Sequence, residues 1–332
     1  EDSLIAMLSM AGLKAMDDAG FGERPVDALY VCNMASGLFN HQVSVASAVV
    51  DRLLLLPAAA DRIENGPASG GSAVKNGFLA VASGYADAVL VIGGEKMREV
   101  IGPRATDIVA CMTHPQAEYI YGVTLPAMAG MFAQVYMDKY GVTPEHLAMV
   151  SIKNQDNGIL NPYAHIQMKI TMEGILTHPQ AHINNPVVAD PLHLYDCCPV
   201  SDGAAAVLLT TQELAKELGR PIVEIAGVAQ ATDTHTLQER PDPTDLKAVT
   251  IASQKAFSMA VEGVPGPVFM EIPVDLLYPE SLVRKWYAGA TGAKAAKNVG
   301  DRLKSLYLRH YVDRMFSCSL DEMKTTASDV SP

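Results

Sequence analysis

The sequence predicts an α/β protein in which helices cover both faces of a mainly parallel sheet. Short, uniformly apolar segments alternate with longer segments of helical periodicity, and turns rich in glycine join them. Strands that lack polar alternation are typical of sheets buried between helices. The chain has 332 residues, 49% of them hydrophobic, which is enough for roughly two domains around a sizeable core.

The first part of the chain supplies most of this alternation. Its helices are predicted from apolar spacing over Ser3–Ala19, Val43–Leu56 and, after the run Gly66–Gly71, to about Ser83; its strands are predicted over Val26–Val31 and Ala88–Gly94. Gly20 is a stop signal behind the first helix.

From about residue 111 to residue 190 the pattern changes. A helix is predicted over Leu125–Tyr140 and another from Thr143, followed by a loop-rich stretch that contains several X-Pro pairs. Long loops inside a compact domain usually bind something. The strand pattern returns at Ala204–Leu209 and at Ile222–Val228.

Composition excludes several classes of function. The net charge of -12 disfavours a general nucleic-acid binder, which needs clustered Lys and Arg. We expect no membrane association, because no stretch reaches the roughly 18 apolar residues of a span and no signal peptide opens the chain. Five cysteines without framework or metal spacing favour free thiols in a cytoplasmic setting. Since the chain begins at Glu1 without methionine, we expect an amino-terminal truncation.

The turn at residues 66–71 is the strongest candidate for chemistry. A glycine-rich turn between a strand and a helix directs backbone N–H groups at an anion, and the helix field there assists a nucleophile. The alternative is a tight connection whose glycines only permit close packing. The motif by itself does not decide between the two.

The segments around this turn resemble the thiolase family, most closely its sterol-carrier-like and archaeal acetyl-CoA acetyltransferase branch. The resemblance covers about residues 1–256 and rests on these segments: Arg62–Gly71, Ala80–Gly84, Val91–Met97, Tyr140–Thr143, Lys153-Asn154, Asn161-Pro162 and Asp196–Ala206. It implies a homodimeric, layered αβα thiolase fold with an inserted loop domain. The Gly-His-Pro and Cys-x-Gly motifs that carry the family's base and acid do not occur, so the second thiolase half is expected to be largely missing.

Alignment with the family's turn places Pro67 where the nucleophilic cysteine stands. Proline supplies neither a thiol nor a backbone N–H, and in this family that N–H helps to form an oxyanion hole. Losing one such donor typically costs about 10²–10³ in rate. Ser69 is the candidate substitute nucleophile, with helix capping as the alternative. Cys197 and Cys198 are expected to be structural, and His165, His178, His182 and His193 are candidates for a ligand cleft.

The tail at about 257–315 resembles a different family. The run Gly263–Pro279 is similar to the end of the pyrimidine domain of acetolactate-synthase-like thiamine-diphosphate enzymes, and a variant thiolase carboxyl-terminal domain is the alternative. We predict a strand at Pro267–Pro273 and a helix at Val299–Phe316. The expected domains are 1–118 and 191–215 (amino-terminal domain), 119–190 (loop domain), 216–256 (start of the carboxyl-terminal domain) and 257–332 (tail).

The sequence therefore predicts a thiolase-like acyl-CoA C-acyltransferase homologue with impaired catalysis. A coenzyme A thioester is the expected ligand, a small OB-fold protein a candidate partner, and no thiamine diphosphate is expected. The alternatives are an active acyltransferase that uses Ser69, and a thiamine-enzyme fragment fused to a thiolase-like interaction module.

Overall fold

The structure is a computed structural model that describes residues 3–261. The strand predicted at Pro267–Pro273, the helix predicted at Val299–Phe316 and nearly all of the tail at 257–332 lie outside the described residues.

Helices and strands alternate through the first hundred residues, as the sequence predicts. The helices are α1 (Leu4–Asp18), α2 (Ser36–Phe39), α3 (Val45–Arg52), α4 (Ser69–Ala82), α5 (Gly102–Ala110), α6 (Leu125–Tyr140), α7 (Pro144–Leu160), α8 (Ala181–Asn184), α9 (Gln212–Leu218) and α10 (Lys247–Val261). The strands are β1 (Ala28–Cys32), β2 (Ala59–Ile63), β3 (Ala88–Lys96), β4 (Val187–Ala189), β5 (Leu192–His193) and β6 (Asp202–Thr210).

The main sheet has four strands in the order β2-β1-β3-β6. Strand β1 pairs in parallel with both β2 and β3, whereas β6 runs antiparallel to β3. The carboxyl ends of β1, β2 and β3 therefore lie at one edge of the sheet, which is where loops of α/β proteins bind ligands. Strands β4 and β5 form a separate antiparallel pair.

Helices cover both faces of this sheet, so the predicted αβα layering is confirmed. On one face Leu29, Val31, Leu90 and Ile92 belong to a buried cluster with residues of α1 and α3. On the other face the alternate residues of β1 and β3 pack with Ala73 and Ala80 of α4. Because successive side chains of a strand point to opposite faces, a continuous apolar run serves both layers.

Two predicted boundaries match their local signals closely. Helix α1 begins after Ser3, whose hydroxyl accepts from the Ala6 N–H. Helix α6 has the predicted bounds, with a Thr124 cap before it and Gly141 in the left-handed region behind it. Helix α3 is shorter than the predicted Val43–Leu56, because Ser44 and Leu54 take positive φ angles of 53° and 58° on either side of it.

The predicted strand at Ile222–Val228 is wrong. The segment has no regular secondary structure, and the sheet described above contains no ladder with it. An apolar run becomes a strand only where another strand satisfies its N–H and C=O groups. Gly227 instead lies against α10, where an added Cβ would come within 2.6 Å of the Ala256 carbonyl oxygen.

Residues 111–201 form an excursion between β3 and β6 with a small core of its own, built around Ala148, Ile170 and Ile175. Glu118 connects the start of this excursion to a later segment, because its carboxylate accepts from the N–H groups of His114 and Leu237, both at 2.8 Å. Burial acts to raise the pKa of Glu118, but these two N–H groups and the nearby His235 hold it below its ordinary value.

Candidate functional site

The turn between β2 and α4 brings a proline to the amino end of a long helix. Gly66 has a φ of +53°, which glycine adopts without strain, and Pro67 and Ala68 then lead into α4. Ala68 is the N-cap, and the first turn of α4 contains neither a side-chain cap nor an acidic residue. The amino end of α4 therefore keeps the positive field that favours an anion or a thiolate.

The hydroxyl of Ser69 stabilises this turn through two hydrogen bonds with its backbone. Its hydroxyl oxygen accepts from the Asn65 N–H at 2.9 Å and donates to the Gly66 carbonyl oxygen at 2.7 Å. The residue is buried, and neither of these partners is a base that could take up its proton. The arrangement favours the structural role of Ser69, since a nucleophilic hydroxyl requires a nearby general base.

Two further contacts fix the same turn. The Glu64 carboxylate accepts from the Gly66 N–H at 2.6 Å, and the Asn65 side-chain amide donates to the Ser72 hydroxyl at 2.9 Å. Met112 follows the carboxyl end of α5, and a Cβ placed on Gly66 would lie 3.1 Å from the Met112 sulfur. A larger residue than glycine would therefore be both strained and crowded at position 66.

A clamp of two charged side chains holds the neighbouring loop after β1; we refer to Arg62 and Glu95 together as the Arg62–Glu95 clamp. Glu95 accepts from the N–H groups of Met34 and Ala35, at 2.7 and 3.2 Å, and from the Asn33 side-chain amide at 2.9 Å. Arg62 donates from Nε to the Asn33 carbonyl oxygen at 3.0 Å and from Nη2 to the Met34 carbonyl oxygen. Both N–H and C=O groups of this loop are thus tied to the sheet.

Glu95 is a partly buried carboxylate with an altered affinity for protons. Burial raises its pKa above the ordinary value, although the Met34 and Ala35 N–H groups, the Asn33 amide and the Arg62 charge all act to lower it. The effect of burial on the pKa of Glu95 is larger than the opposing effect of these four contacts. The clamp therefore contains a group whose charge responds to pH.

The clamp and the turn border one cleft of about 310 Å³, which we call the clamp cleft. Its lining is Met34, Ala35, Gly37, Leu38, Arg62, Glu64, Ile108, Cys111 and Met112. Two of these residues border Gly66, which directly precedes Pro67: Glu64 accepts a hydrogen bond from its N–H, and the Met112 sulfur lies 3.1 Å from where a Cβ on Gly66 would stand. The lining combines apolar side chains with a cation, a carboxylate and a thiol.

The predicted histidines and cysteines are elsewhere. None of the four loop histidines lines the clamp cleft; the His178 ring accepts from the Gln180 N–H, and His193 lies 3.8 Å from Asp196. Cys197 and Cys198 lie just ahead of β6, and burial raises the pKa of the Cys197 thiol, which makes it a poor nucleophile.

A second cleft, of about 410 Å³, lies between residues 228–230 and α10. It is lined by Val228, Ala229, Gln230, Gln254, Lys255, Ser258 and Met259, so it contains no carboxylate, imidazole or thiol. Within the described residues, no group of three or more His, Cys, Asp and Glu side chains could hold a metal ion. No helix of residues 3–261 is long and apolar enough to cross a membrane.

Arg62, Glu95 and Met97 lie in segments that resemble the thiolase family, but the sequence predicts no role for any of them. Cys111 and Met112 carried no motif. The clamp cleft is assembled from three chain segments, and only the β2–α4 turn among them has a recognisable pattern.

Comparison with known proteins decides the family. The model of the thiolase amino-terminal domain matches residues 2–213. The chain belongs to the thiolase family. It is 42% identical over 254 residues to an acetyl-CoA acetyltransferase of Methanothermobacter thermautotrophicus; the match covers 76% of this chain and 64% of that protein. The thiolase-family chain thus spans somewhat less than two thirds of that relative's length.

Solved structures agree with the thiolase fold. One neighbour is the Ltp2-ChsH2(DUF35) aldolase, with a TM-score of 0.63, 24% identity, and coverage of 78% of this chain and 65% of that one. Another is a monomeric SCP2-thiolase like protein from Mycobacterium smegmatis, with a TM-score of 0.59, 21% identity, and coverage of 78% and 54%. At these identities the likeness concerns the fold alone.

Proposed function

We propose that this chain is a thiolase-family protein that binds acyl-CoA thioesters and is impaired in acyl transfer. The observation that carries the proposal is the place of Pro67, in a hydrogen-bonded turn at the amino end of α4 where the family's nucleophilic cysteine is expected. The hydrogen bonds of the turn do not include a side-chain cap on α4. The positive field at the amino end of α4 is therefore available to a ligand. Proline adds neither a thiol nor an N–H donor to it.

The contacts of Ser69 count against the second candidate, an active acyltransferase with a serine nucleophile. Its hydroxyl already makes two hydrogen bonds inside the turn, at 2.9 and 2.7 Å. Attack on a thioester requires a general base for the hydroxyl proton, and the Gly66 carbonyl oxygen to which this proton is donated cannot act as one. We therefore assign Ser69 to holding the turn.

The remaining parts of the proposal rest on the family. From the chemistry of its members we infer that the ligand is a coenzyme A thioester and that thiamine diphosphate is not needed. The assembly inferred from the family is a homodimer. The similar Ltp2-ChsH2(DUF35) aldolase supports a small partner protein, while the monomeric neighbour makes the oligomeric state worth measuring. The thiols of Cys111, Cys197 and Cys198, which are free within residues 3–261, fit a reducing, cytoplasmic setting.

The test combines acetyl-CoA binding by calorimetry with intact mass and peptide mapping. We expect the wild type to bind acetyl-CoA without forming an acetyl adduct at the turn. Pro67→Cys should gain an adduct at position 67 but no condensation, because the chain has no Gly-His-Pro motif for the base. A wild-type adduct that disappears in Ser69→Ala would overturn the impaired state, and failure to bind any CoA thioester would overturn the ligand.

A further inference from the structure

We infer that residues 233–244, which we call the strap, release from the excursion as a unit, because one turn of the strap has two alternative caps. In the structure the Glu118 carboxylate of the excursion caps this turn from outside. After release the Thr236 hydroxyl of the strap itself caps the turn. The inference concerns a conformational device and does not depend on the ligand proposed above.

The strap is an irregular segment between two held ends. Its regular structure is a single 3₁₀ turn at Leu237–Glu239. Before the strap, Gln230 is hydrogen-bonded to the ammonium group of Lys75 on α4, and after it the chain enters α10 at Lys247. A segment of this kind can open locally while the sheet stays folded.

The excursion supplies the cap of the 3₁₀ turn in the closed state. The N–H groups of the first turn of a helix have no partner within it. Here the Leu237 N–H donates to one carboxylate oxygen of Glu118 at 2.8 Å, and the His114 N–H donates to the other at 2.8 Å. Glu118 is 6% exposed, so this charged bridge between two chain segments is shielded from water.

Thr236 occupies the position from which a threonine ordinarily caps a turn, yet it makes no such bond. It is the N-cap residue of the 3₁₀ turn, and its side chain makes no capping hydrogen bond. The residue is 2% exposed, and its hydroxyl has no hydrogen-bond partner among residues 3–261. The Thr234 hydroxyl is buried in the same way. Burial of a hydroxyl without a partner costs free energy, which opening of the strap would recover.

The contacts between the strap and α6 are individually weaker. Lys139 of α6 pairs with Asp242 and donates to the Thr244 hydroxyl at 2.8 Å. The Arg240 guanidinium lies 5.6 Å from the centre of the Phe132 ring. Exposed ion pairs and cation–π contacts contribute little each. Closure therefore depends chiefly on the Glu118 cap.

The Glu118 bridge also connects the strap with the clamp cleft. His114 follows Met112, which lines that cleft, by two residues. The carboxylate that caps the strap therefore also holds the chain directly behind this wall of the cleft. Closure of the strap helps to fix the wall.

Hydrogen–deuterium exchange of the full chain, measured on peptides by mass spectrometry, tests the opening. Peptides from residues 233–244 should exchange faster than peptides from β1, because the strap opens without global unfolding. Glu118→Gln places an N–H₂ group against a backbone N–H and should speed strap exchange about tenfold or more. Lys139→Ala should speed it less, because it removes only the weaker contacts.

Substitutions at Thr236 distinguish an alternative cap from a merely structural threonine. Thr236→Val keeps the shape but removes both the buried hydroxyl of the closed state and the cap of the open state. Strap exchange should therefore slow by about threefold or more. Thr236→Ser keeps the hydroxyl and should not slow exchange. Thr244→Val is the matched control at a hydroxyl that has partners, and it should not slow exchange either.

Each contrary result removes a defined part of the inference. Faster strap exchange in Thr236→Val would overturn the alternative cap, because the hydroxyl would then stabilise the closed state. An unchanged rate in Glu118→Gln would overturn the role of Glu118. Strap exchange that is no faster than that of β1, or that changes together with β1 in every variant, would overturn release as a unit.

Discussion

Gly94 provides a stability test of the pairing between β3 and β6. It lies opposite Ala204, and a Cβ at this position would come within 2.9 Å of both the Gly203 carbonyl oxygen and the Ala204 Cβ. It would also lie 2.7 Å from a methyl carbon of the buried Leu8. The side chain of Leu8 can turn, but the Gly203 carbonyl belongs to backbone that the ladder holds in place. Gly94→Ala must therefore shift β6.

Overpacking of this kind costs about 1–3 kcal/mol of unfolding free energy. Gly203→Ala is the matched control, because nothing lies within 4 Å of its added Cβ and its φ is ordinary. It should be neutral or stabilise by up to about 1 kcal/mol. In thermal melts followed by circular dichroism, Gly94→Ala should lower Tm by roughly 2–12 °C. Equal Tm values for the two variants would refute the close approach of β3 and β6.

Further predictions concern the turn and two titrating groups. Ser69→Ala should cost about 1–2 kcal/mol in urea unfolding, because it removes both the acceptor of the Asn65 N–H and the donor to the Gly66 carbonyl oxygen, whereas Ser83→Ala at an exposed helix end should stay within about 0.5 kcal/mol. A hydrogen bond from Lys139 is the main cause that lowers the pKa of Asp242 to about 2, so this carboxylate's stabilising effect is present above pH 3.8 and lost as the pH falls. In Lys139→Ala, Tm should therefore fall less steeply as the pH is lowered below about 3.8. Burial raises the pKa of Glu95, so its contribution to stability falls as the pH rises above 4.5, and Glu95→Gln should remove that fall from melts on the neutral side.

The sequence predicted the bounds of those elements whose ends carry capping residues. Helix α6 begins after the Thr124 cap and ends before Gly141, so its bounds could be derived from residues within it and next to it. Strand β2 was missed because its residues alternate between partly buried and exposed and include Asp61 and Arg62. An edge strand needs only one partner, and its apolar signal is correspondingly weak.

The site was predictable only where it is continuous in sequence. The β2–α4 turn carries Pro67 and Ser69 within one short segment, and its glycines mark it. The role of Glu95 depends on contacts with Met34 and Ala35, some sixty positions earlier. No spacing rule connects residues whose meeting is decided by strand order.

Strand β6 also has a consequence for the order in which this protein folds. Its ladder with β3 pairs Lys96 with Asp202, so residues 97–201 must be looped out before the first of these bonds can form. Closing a flexible loop of that length costs roughly 4 kcal/mol of chain entropy, which makes the pairing a slow, non-local event. The excursion's own core around Ala148, Ile170 and Ile175 shortens the effective loop if it forms first. The parallel strands β1, β2 and β3 can then assemble early, with β6 completing the sheet as the last strand.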